Sequence, residues 1–295
     1  MARTRRLQSD PLIFFSALGF ILVFVAATLV FGDQARETYA AVSGWLMDHF
    51  TWLYVGGVSA TLIFLIVVFV SRYGNLRLGD DDDEPEYSYP VWFAMLFAAG
   101  MGATLMFWGA AEPLNHAYNP PRGGYDSMSR DAIIQAFQFT YYHFGIHMWV
   151  IFTLPGLAVG YFVYKRKMPA RMSSMFSPLL GGKVYDTPGK LLDALGIIGT
   201  VFGLAVSVGL GVLQISAGMN ILWDVPLVTP VQIGIICAIT LAASISVATG
   251  LDKGVKILSN LNIAGTILLM IFVLLTGPTL KLLGQITESF GIYAQ

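Results

Sequence analysis

Seven apolar segments, none of which contains Asp, Glu, Lys or Arg, determine what this chain of 295 residues can fold into. They cover residues 11–32, 51–71, 89–111, 133–164, 194–223, 227–250 and 257–280. A helix of about 20 apolar residues crosses the roughly 30 Å hydrocarbon core of a bilayer. Apolar and polar residues do not alternate in these segments, as they would in the strands of a membrane barrel. The sequence therefore predicts an all-α integral membrane protein with about seven transmembrane helices.

The low content of charged residues supports the same prediction. Asp, Glu, Lys and Arg make up 12% of the chain, against about 25% in a typical soluble protein. The formal net charge of −1 excludes a broadly basic surface for nucleic acid. We therefore expect the lipid bilayer as a partner and no nucleic acid.

The basic residues predict the orientation of the helices. Arg3–Arg6 precede the first segment, Lys165–Arg171 follow the fourth, and Lys253 and Lys256 lie between the sixth and the seventh. Basic residues concentrate in the cytoplasmic loops of membrane proteins, and all three clusters are cytoplasmic if the N-terminus is cytoplasmic. The acidic run Asp80–Glu84 then lies on the same side, either as a solvated loop or as a regulatory patch.

Glycines cluster in the third segment. Gly100, Gly102 and Gly109 lie within it, although a glycine inside a helix costs about 1 kcal/mol relative to alanine. Two interpretations stay open: close helix packing against small residues, or an unwound stretch whose free backbone groups bind an ion or a substrate. Glu112 and Pro113 are expected to end this helix, because the residue before a proline disfavours the helical conformation.

The fourth segment carries histidines and aromatic residues. His143 and His147 are four residues apart, a spacing that suits either metal ligands or hydrogen-bonded structural histidines. Phe144, Trp149 and Phe152 suit either a cage for a quaternary ammonium ion or ordinary packing. This segment and the fifth are each about 30 residues long, which is more than a span needs. We therefore expect both to be tilted, kinked or continued beyond the bilayer.

Hydroxyl side chains mark the fifth segment. Thr200 and Ser207 are seven residues apart and therefore share a helix face, where they either bond to a neighbouring helix or bind a small cation. The chain has no phosphate-binding Walker loop and neither a GxSxG nor an HExxH motif. We therefore predict a protein that is not an enzyme and has no organic cofactor and no metal centre.

Four motifs together resemble the betaine/carnitine/choline transporter family (BCCT). The stretch from Gly100 to Pro113 resembles the glycine-rich third helix of that family, and His143–Trp149 resembles its aromatic fourth helix. Gly209–Gln214 and Gly250–Asn262 match two further stretches in the expected order. The resemblance covers nearly the whole chain.

The resemblance implies a LeuT-type inverted-repeat fold, in which the substrate binds between two five-helix repeats. Residues 1–88 then form the N-terminal tail, two leading transmembrane helices and the acidic cytoplasmic loop. Residues 89–280 form the first five-helix repeat, and residues 281–295 an amphipathic or disordered tail. Since the family usually has twelve spans, the second repeat is expected to be absent from this chain, which resembles an N-terminal portion.

The resemblance also implies site residues, position by position. The substrate-binding residues are Trp149, Phe144, Phe152, Met101, Gly102, Thr104 and Trp108. The ion-binding residues are Ala98, Met101, Thr200 and Ser207. Phe144 and Phe152 keep an aromatic face but lack the polar groups of the Trp and Tyr of betaine carriers. Leu204 replaces a hydroxyl of the second sodium site, and Thr104 replaces the third glycine of the family's glycine motif.

The implied function is secondary active, ion-coupled uptake of a quaternary ammonium osmolyte such as glycine betaine, choline or carnitine. The implied location is the cell inner (plasma) membrane, which the chain crosses several times with its N-terminus in the cytoplasm. The coupling ion is Na⁺ or H⁺, and some relatives are homotrimers. The alternative is a truncated, non-transporting fragment, or a half-transporter that needs its missing C-terminal half as a second chain. A membrane metalloenzyme built on His143 and His147 is the weakest hypothesis.

Overall fold

The computed structural model describes residues 10–100, 102–250 and 254–293, and within these ranges it contains helices and no β-strand. Short 3₁₀ and π-helical turns occur between or at the ends of the α-helices. The α-helices are α1 Pro11–Val70, α2 Tyr89–Gly100, α3 Ala103–Tyr118, α4 Arg130–Phe144, α5 Ile146–Val159, α6 Ser177–Leu180, α7 Thr187–Trp223, α8 Thr229–Ala248, α9 Lys256–Thr276 and α10 Thr279–Tyr293. The prediction of an all-α protein is confirmed.

The first two apolar segments lie in the 60 residues of α1. Asp10 caps this helix, because its carboxylate accepts hydrogen bonds from the backbone N–H groups of Leu12 (3.0 Å) and Ile13 (3.4 Å). An unbroken helix of this length would measure about 90 Å, roughly three times the hydrocarbon core. Gly32 interrupts it, with a non-helical φ of 47° and ψ of −116°. Residues 33–50, which the sequence assigned to no span, are helical.

The third apolar segment is broken in its middle. The axes of α2 and α3 differ by 62°, and Gly102 between them has extended dihedral angles (φ −104°, ψ −157°). The predicted end of the helix at Glu112 and Pro113 is wrong, because α3 continues to Tyr118 with Pro113 inside it. A proline removes one backbone hydrogen bond but is tolerated in apolar helices where other groups compensate.

The fourth segment is interrupted within its length, at a position that the expectation of a tilted, kinked or continued helix does not specify. Gly145, with φ −88° and ψ −147°, separates α4 from α5. The last turn of the segment, Gly160–Lys165, is π-helical. The fifth segment is continued at its N-terminal end, since α7 begins at Thr187. Most of the predicted C-terminal tail forms the helix α10, which packs against α4 and α9.

Five helical stretches among the described residues are long and apolar enough to cross a membrane, if α4, α5 and the π-helical turn after them (Arg130–Lys165) are counted as one. The number is six if α2 and α3 form one bent span. Large apolar side chains on them are exposed, among them Leu29 (79%), Phe69 (80%) and Leu275 (73%). Such exposure suits lipid contact. The count of seven stays a prediction, because it requires α1 to cross the membrane twice.

Contacts divide the described residues into two compact units. The first contains residues 10–83 and 147–203, and the second contains residues 84–146 and 204–293. In the first unit the ring of Phe24 packs edge-on against Phe202 at 4.7 Å between centroids. In the second unit α2 packs against α9, and α3 packs against α4. The predicted boundaries of the five-helix repeat stay a prediction.

Candidate substrate and ion site

The break between α2 and α3 leaves backbone groups without helical partners inside an apolar segment. Because α2 ends at Gly100, the carbonyl of Ala98 has no N–H group four residues further on within the same helix. Carbonyls at broken helices coordinate coupling cations in transporters. Met101, which the resemblance assigned to both the ion and the substrate, lies outside the described residues.

The glycines at the break were open to two interpretations. Apart from its own chain neighbours and the nearby backbone of its own helix, a Cβ atom placed on Gly102 or on Gly109 would meet no atom of the described residues within 4 Å. Close packing of a neighbouring helix therefore does not account for these two glycines in the part of the chain that the structure describes. The observed break at Gly102 favours the unwound stretch instead.

A hydroxyl pair joins α3 to α7. Thr104 Oγ1 and Ser207 Oγ are 3.2 Å apart, which is hydrogen-bonding distance, and both side chains are half-buried. The structure thus brings together one residue predicted for the substrate and one predicted for the ion. Trp108, one turn after Thr104, is 39% exposed, and its ring packs edge-on against Phe107 with 5.1 Å between centroids.

Thr200, the other predicted hydroxyl ligand, lies in the first unit. Its side chain is exposed and donates a hydrogen bond to the carbonyl of Gly196, one turn earlier in α7, at 2.8 Å. Leu204 occupies the position one turn later. The hydroxyl of Thr200 is therefore bonded to its own helix, whereas that of Ser207 bonds to another helix, α3.

Two of the three predicted cage aromatics are neighbours on α5. The rings of Trp149 and Phe152 are 5.8 Å apart at a tilt of 47°, and Phe152 is 48% exposed. Two adjacent π faces with open sides suit a cation, although the same arrangement occurs in ordinary packing.

The third, Phe144, belongs to the second unit and lines a cavity of about 310 Å³ between α4 and α10. The other lining residues are Thr140, Tyr141, Gly145, Ile146, Phe290 and Tyr293. Sequence reasoning did not find this cavity, because its walls come from helices that are about 150 residues apart along the chain.

Glu112 contacts two histidines in the second unit. Its Oε1 atom lies 2.5 Å from Nδ1 of His143 and 3.3 Å from Nε2 of His116. The sequence suggested His143 with His147 instead, but Gly145 breaks the helix between them, so their spacing does not place them on one helix face. Glu112 and His116 do have the four-residue spacing, within α3, and this spacing is the sequence signal for their contact.

The acidic loop between α1 and α2 is ion-paired rather than simply solvated. Lys165 Nζ lies 3.0 Å from Asp81 Oδ1, and Lys167 Nζ lies 2.8 Å from Asp80 Oδ2. The hydrogen bond from Lys167 lowers the pKa of Asp80, and the same bond raises the pKa of Lys167. These contacts attach the loop to the segment that follows α5.

Comparisons with known proteins find matches over nearly the whole chain. The family model of the betaine/carnitine/choline family transporters matches residues 12–295. The ectoine/glycine betaine/proline transporter EctP of Corynebacterium glutamicum is 62% identical over 98% of this chain and 47% of its own length. The osmo-dependent choline transporter BetT2 of Acinetobacter baylyi is 36% identical over 96% of this chain and 41% of its own length. The high-affinity choline transport protein of Escherichia coli K12 is 34% identical over 96% of this chain and 42% of its own length.

Two facts follow from these matches. The chain spans about half the length of the curated relatives it matches (about 47%, 41% and 42%). All three are named as transporters and none as an enzyme, in line with the motifs absent from the sequence. Because the family model covers nearly every residue, this chain belongs to the betaine/carnitine/choline transporter family.

Proposed function

We propose that this chain takes part in secondary active, ion-coupled uptake of quaternary ammonium and related zwitterionic osmolytes across the plasma membrane. The observation that carries the proposal is the break between α2 and α3, at Gly102, inside an apolar segment. Unwound backbone is tolerated at membrane depth where it is buried in protein or lines a cavity, and in secondary transporters such breaks bind substrate and coupling ions.

The relatives support the class of substrate. One is named for ectoine, glycine betaine and proline, and two are named for choline. All four solutes carry a positively charged nitrogen, or an amidinium group in ectoine, and three of them also carry a carboxylate. Because the chain is far more similar to the first relative, glycine betaine is the first candidate, ahead of choline and carnitine.

The aromatic pair on α5 supports the same class. Trp149 and Phe152 offer two adjacent π faces, and each contact with a desolvated cation contributes about 0.5–2 kcal/mol. The family resemblance adds Phe144, Gly102, Thr104 and Trp108 to the proposed substrate-binding residues, with Met101 contributing backbone groups. An inverted second repeat of a LeuT-type fold would supply the opposite wall.

Coupling would use Na⁺ or H⁺. The carbonyl of Ala98, freed by the end of α2, and that of Met101 are the proposed ligands of one cation. Thr200 and Ser207 are the proposed ligands of a second, although both hydroxyls have other partners in this structure. The proposed topology has a cytoplasmic N-terminus, so that the loop paired with Lys165 and Lys167 is cytoplasmic.

Uptake into proteoliposomes tests the proposal. The protein is expressed from its own gene, purified and reconstituted, and radiolabelled glycine betaine, choline, carnitine, ectoine and proline are offered under imposed Na⁺ or H⁺ gradients. We expect gradient-dependent accumulation of glycine betaine. Trp149→Ala should raise its KM about 2- to 30-fold, the equivalent of about 0.5–2 kcal/mol.

Trp52→Ala is the matched control, because Trp52 lies on α1 and is 71% exposed. It removes an indole from the same protein and should leave KM unchanged. Absence of accumulation of all five solutes under both gradients contradicts the proposed function. Accumulation that Trp149→Ala and Trp52→Ala affect equally contradicts the assignment of the aromatic pair.

A further inference from the structure

One carboxylate and two imidazoles converge where α3 packs against α4. Glu112 and His116 lie one turn apart on α3, and His143 lies near the end of α4. One ligand atom from each residue lies within 4.8 Å of the other two. We propose that Glu112, His116 and His143 bind one divalent transition-metal ion, with Zn²⁺ as the first candidate.

One of the three distances between ligand atoms matches a tetrahedral zinc site, and the other two need small adjustments. The distance between the His116 and His143 ligand atoms is at most 4.8 Å. Bonds of about 2.0–2.1 Å at tetrahedral angles separate two ligand atoms by about 3.3–3.4 Å. The separation of Glu112 Oε1 from His116 Nε2 is 3.3 Å, so this edge is already in place. The separation of Glu112 Oε1 from His143 Nδ1 is 2.5 Å and must lengthen by about 0.8 Å when a metal ion binds. His143 can move, because its side chain is 47% exposed.

The donor set also suits zinc. Two imidazole nitrogens and one carboxylate oxygen are a recurring zinc ligand set, which leaves the fourth position to water or another ligand. The same donors accept other first-row divalent ions, and Cu²⁺ and Ni²⁺ are the main competitors. The exposed side of His143 provides both an entry path and space for the fourth ligand.

The charge of the cluster favours a cation. Glu112 is only 8% exposed, and an ionised carboxylate is costly to bury unless it is paired. In the described ranges its ion-pair partners are His116 and His143, which are charged only when protonated. A divalent ion would compensate the carboxylate while both imidazoles are neutral, which is the form that binds metals.

An aromatic ring packs beside the two histidines. The ring of Phe139 lies 5.7 Å from His116 and 6.2 Å from His143, between centroids, and closes one side of the cluster. The guanidinium carbon of Arg122 lies 5.5 Å from the centroid of the same ring. Because the ligands come from two helices, a bound ion would cross-link α4 to the part of α3 that begins ten residues after the break at Gly102.

Metal binding is tested on the purified full chain after treatment with a chelator. Zn²⁺ is titrated by calorimetry, and Co²⁺ is titrated by visible absorption, because four-coordinate Co²⁺ absorbs much more strongly than the hexaaqua ion. We expect one ion per chain with a four-coordinate Co²⁺ spectrum. Glu112→Gln, His116→Gln and His143→Gln should each weaken binding at least about 10-fold, since each removes a ligand.

His49→Gln is the matched control, because His49 is an exposed histidine of α1; it should leave affinity and stoichiometry unchanged. If a ligand variant does not fold, the site is tested instead by modifying the histidines of the unsubstituted protein with diethylpyrocarbonate. Zn²⁺ should then protect His116 and His143 and leave His49 reactive. The proposal is overturned by sub-stoichiometric binding, by equal effects of His49→Gln and the ligand variants, or by the absence of this protection.

Discussion

Asp193 attaches the segment before α7 to that helix, and its removal should measurably destabilise the protein. Its Oδ1 atom accepts a hydrogen bond from the backbone N–H of Ser173 at 2.8 Å, and its Oδ2 atom accepts one from the Ser173 hydroxyl at 3.1 Å. Asp193 is 7% exposed and Ser173 is 1% exposed. Water therefore does not replace the carboxylate easily when it is removed.

The expected magnitude follows from these two bonds. Hydrogen bonds to a charged group contribute about 1.5–3 kcal/mol each, and an orphaned buried donor costs about 1–3 kcal/mol. Part of this loss is offset, because Asp193→Ala also removes the desolvation cost of a buried carboxylate. We expect a net loss of about 2–4 kcal/mol in the free energy of unfolding for Asp193→Ala. Asp193→Asn keeps an acceptor for the Ser173 N–H and should lose about 1 kcal/mol.

Unfolding by SDS in mixed micelles, followed by circular dichroism, measures this loss. A net loss of about 2–4 kcal/mol corresponds to a shift of about 30- to 700-fold in the unfolding equilibrium. Asp82→Ala is the matched control, because Asp82 is an exposed aspartate of the acidic loop; its effect should stay within about 0.5 kcal/mol. The reasoning is refuted if Asp193→Ala is as stable as Asp82→Ala, or if Asp193→Asn is the less stable of the two Asp193 variants.

Two further predictions concern the backbone and the acidic loop. Gly32→Ala should lower the free energy of unfolding by about 1–3 kcal/mol in the same assay, because φ at Gly32 is 47°. Gly19→Ala, at a helical position of α1, is the control and should not destabilise the protein. Equal effects of the two substitutions would contradict the prediction. The pKa of Asp80 is lowered from 3.8 by its hydrogen bond from Lys167, so the pair adds stability above the unfolded pKa, and this stability is lost as the pH falls through the lower folded pKa. Carboxylate NMR titration should give a lower midpoint for Asp80 in the unsubstituted protein than in Lys167→Gln, and identical midpoints would exclude the pairing.

Hydropathy predicts where helices cross a membrane, and it does not predict where they end. Residues 33–50 contain Asp33, Arg36, Glu37 and Asp48 and were therefore excluded from a span, yet they are helical. Charged residues are compatible with a helix wherever the helix is outside the hydrocarbon. For the same reason α3 continues past Glu112 and Pro113, and α7 begins before its apolar segment.

The breaks were only partly predictable. The chain has 31 glycines, and most of those in apolar segments are helical, including Gly209 and Gly211 in α7. The cluster of glycines indicates a break at Gly102, whereas Gly145 is isolated, and the length of its segment allows a kink without locating it. Whether a glycine leaves the helical conformation depends on what its neighbours pack against, which a single sequence does not contain.

Contacts between helices lie further outside the reach of spacing rules. Periodicity relates residues three or four apart, so it suggested His143 with His147 and would have allowed Glu112 with His116. The contact between Glu112 and His143 spans 31 residues, and that between Thr104 and Ser207 spans 103. The first depends on how α3 packs against α4, and the second on the approach of α3 to α7. The arrangement of apolar helices is not encoded in a periodic pattern.

The break at Gly102 separates two pairs of packed helices. In the second unit, α2 packs against α9 and α3 packs against α4, so the break separates two helix pairs that meet at 62° between α2 and α3. α3 is held by Thr104 near its start and by Glu112 further along, through polar contacts to α7 and α4. A cation on the carbonyl of Ala98 would lie at the junction of the two pairs. Such a cation could favour one angle between the two helix pairs over another only by the difference in its affinity for the two arrangements. If a cation binds there as proposed, a change in the angle between α2 and α3 would move its ligands at the end of α2 relative to α3, and this angle would then couple ion binding to the substrate path.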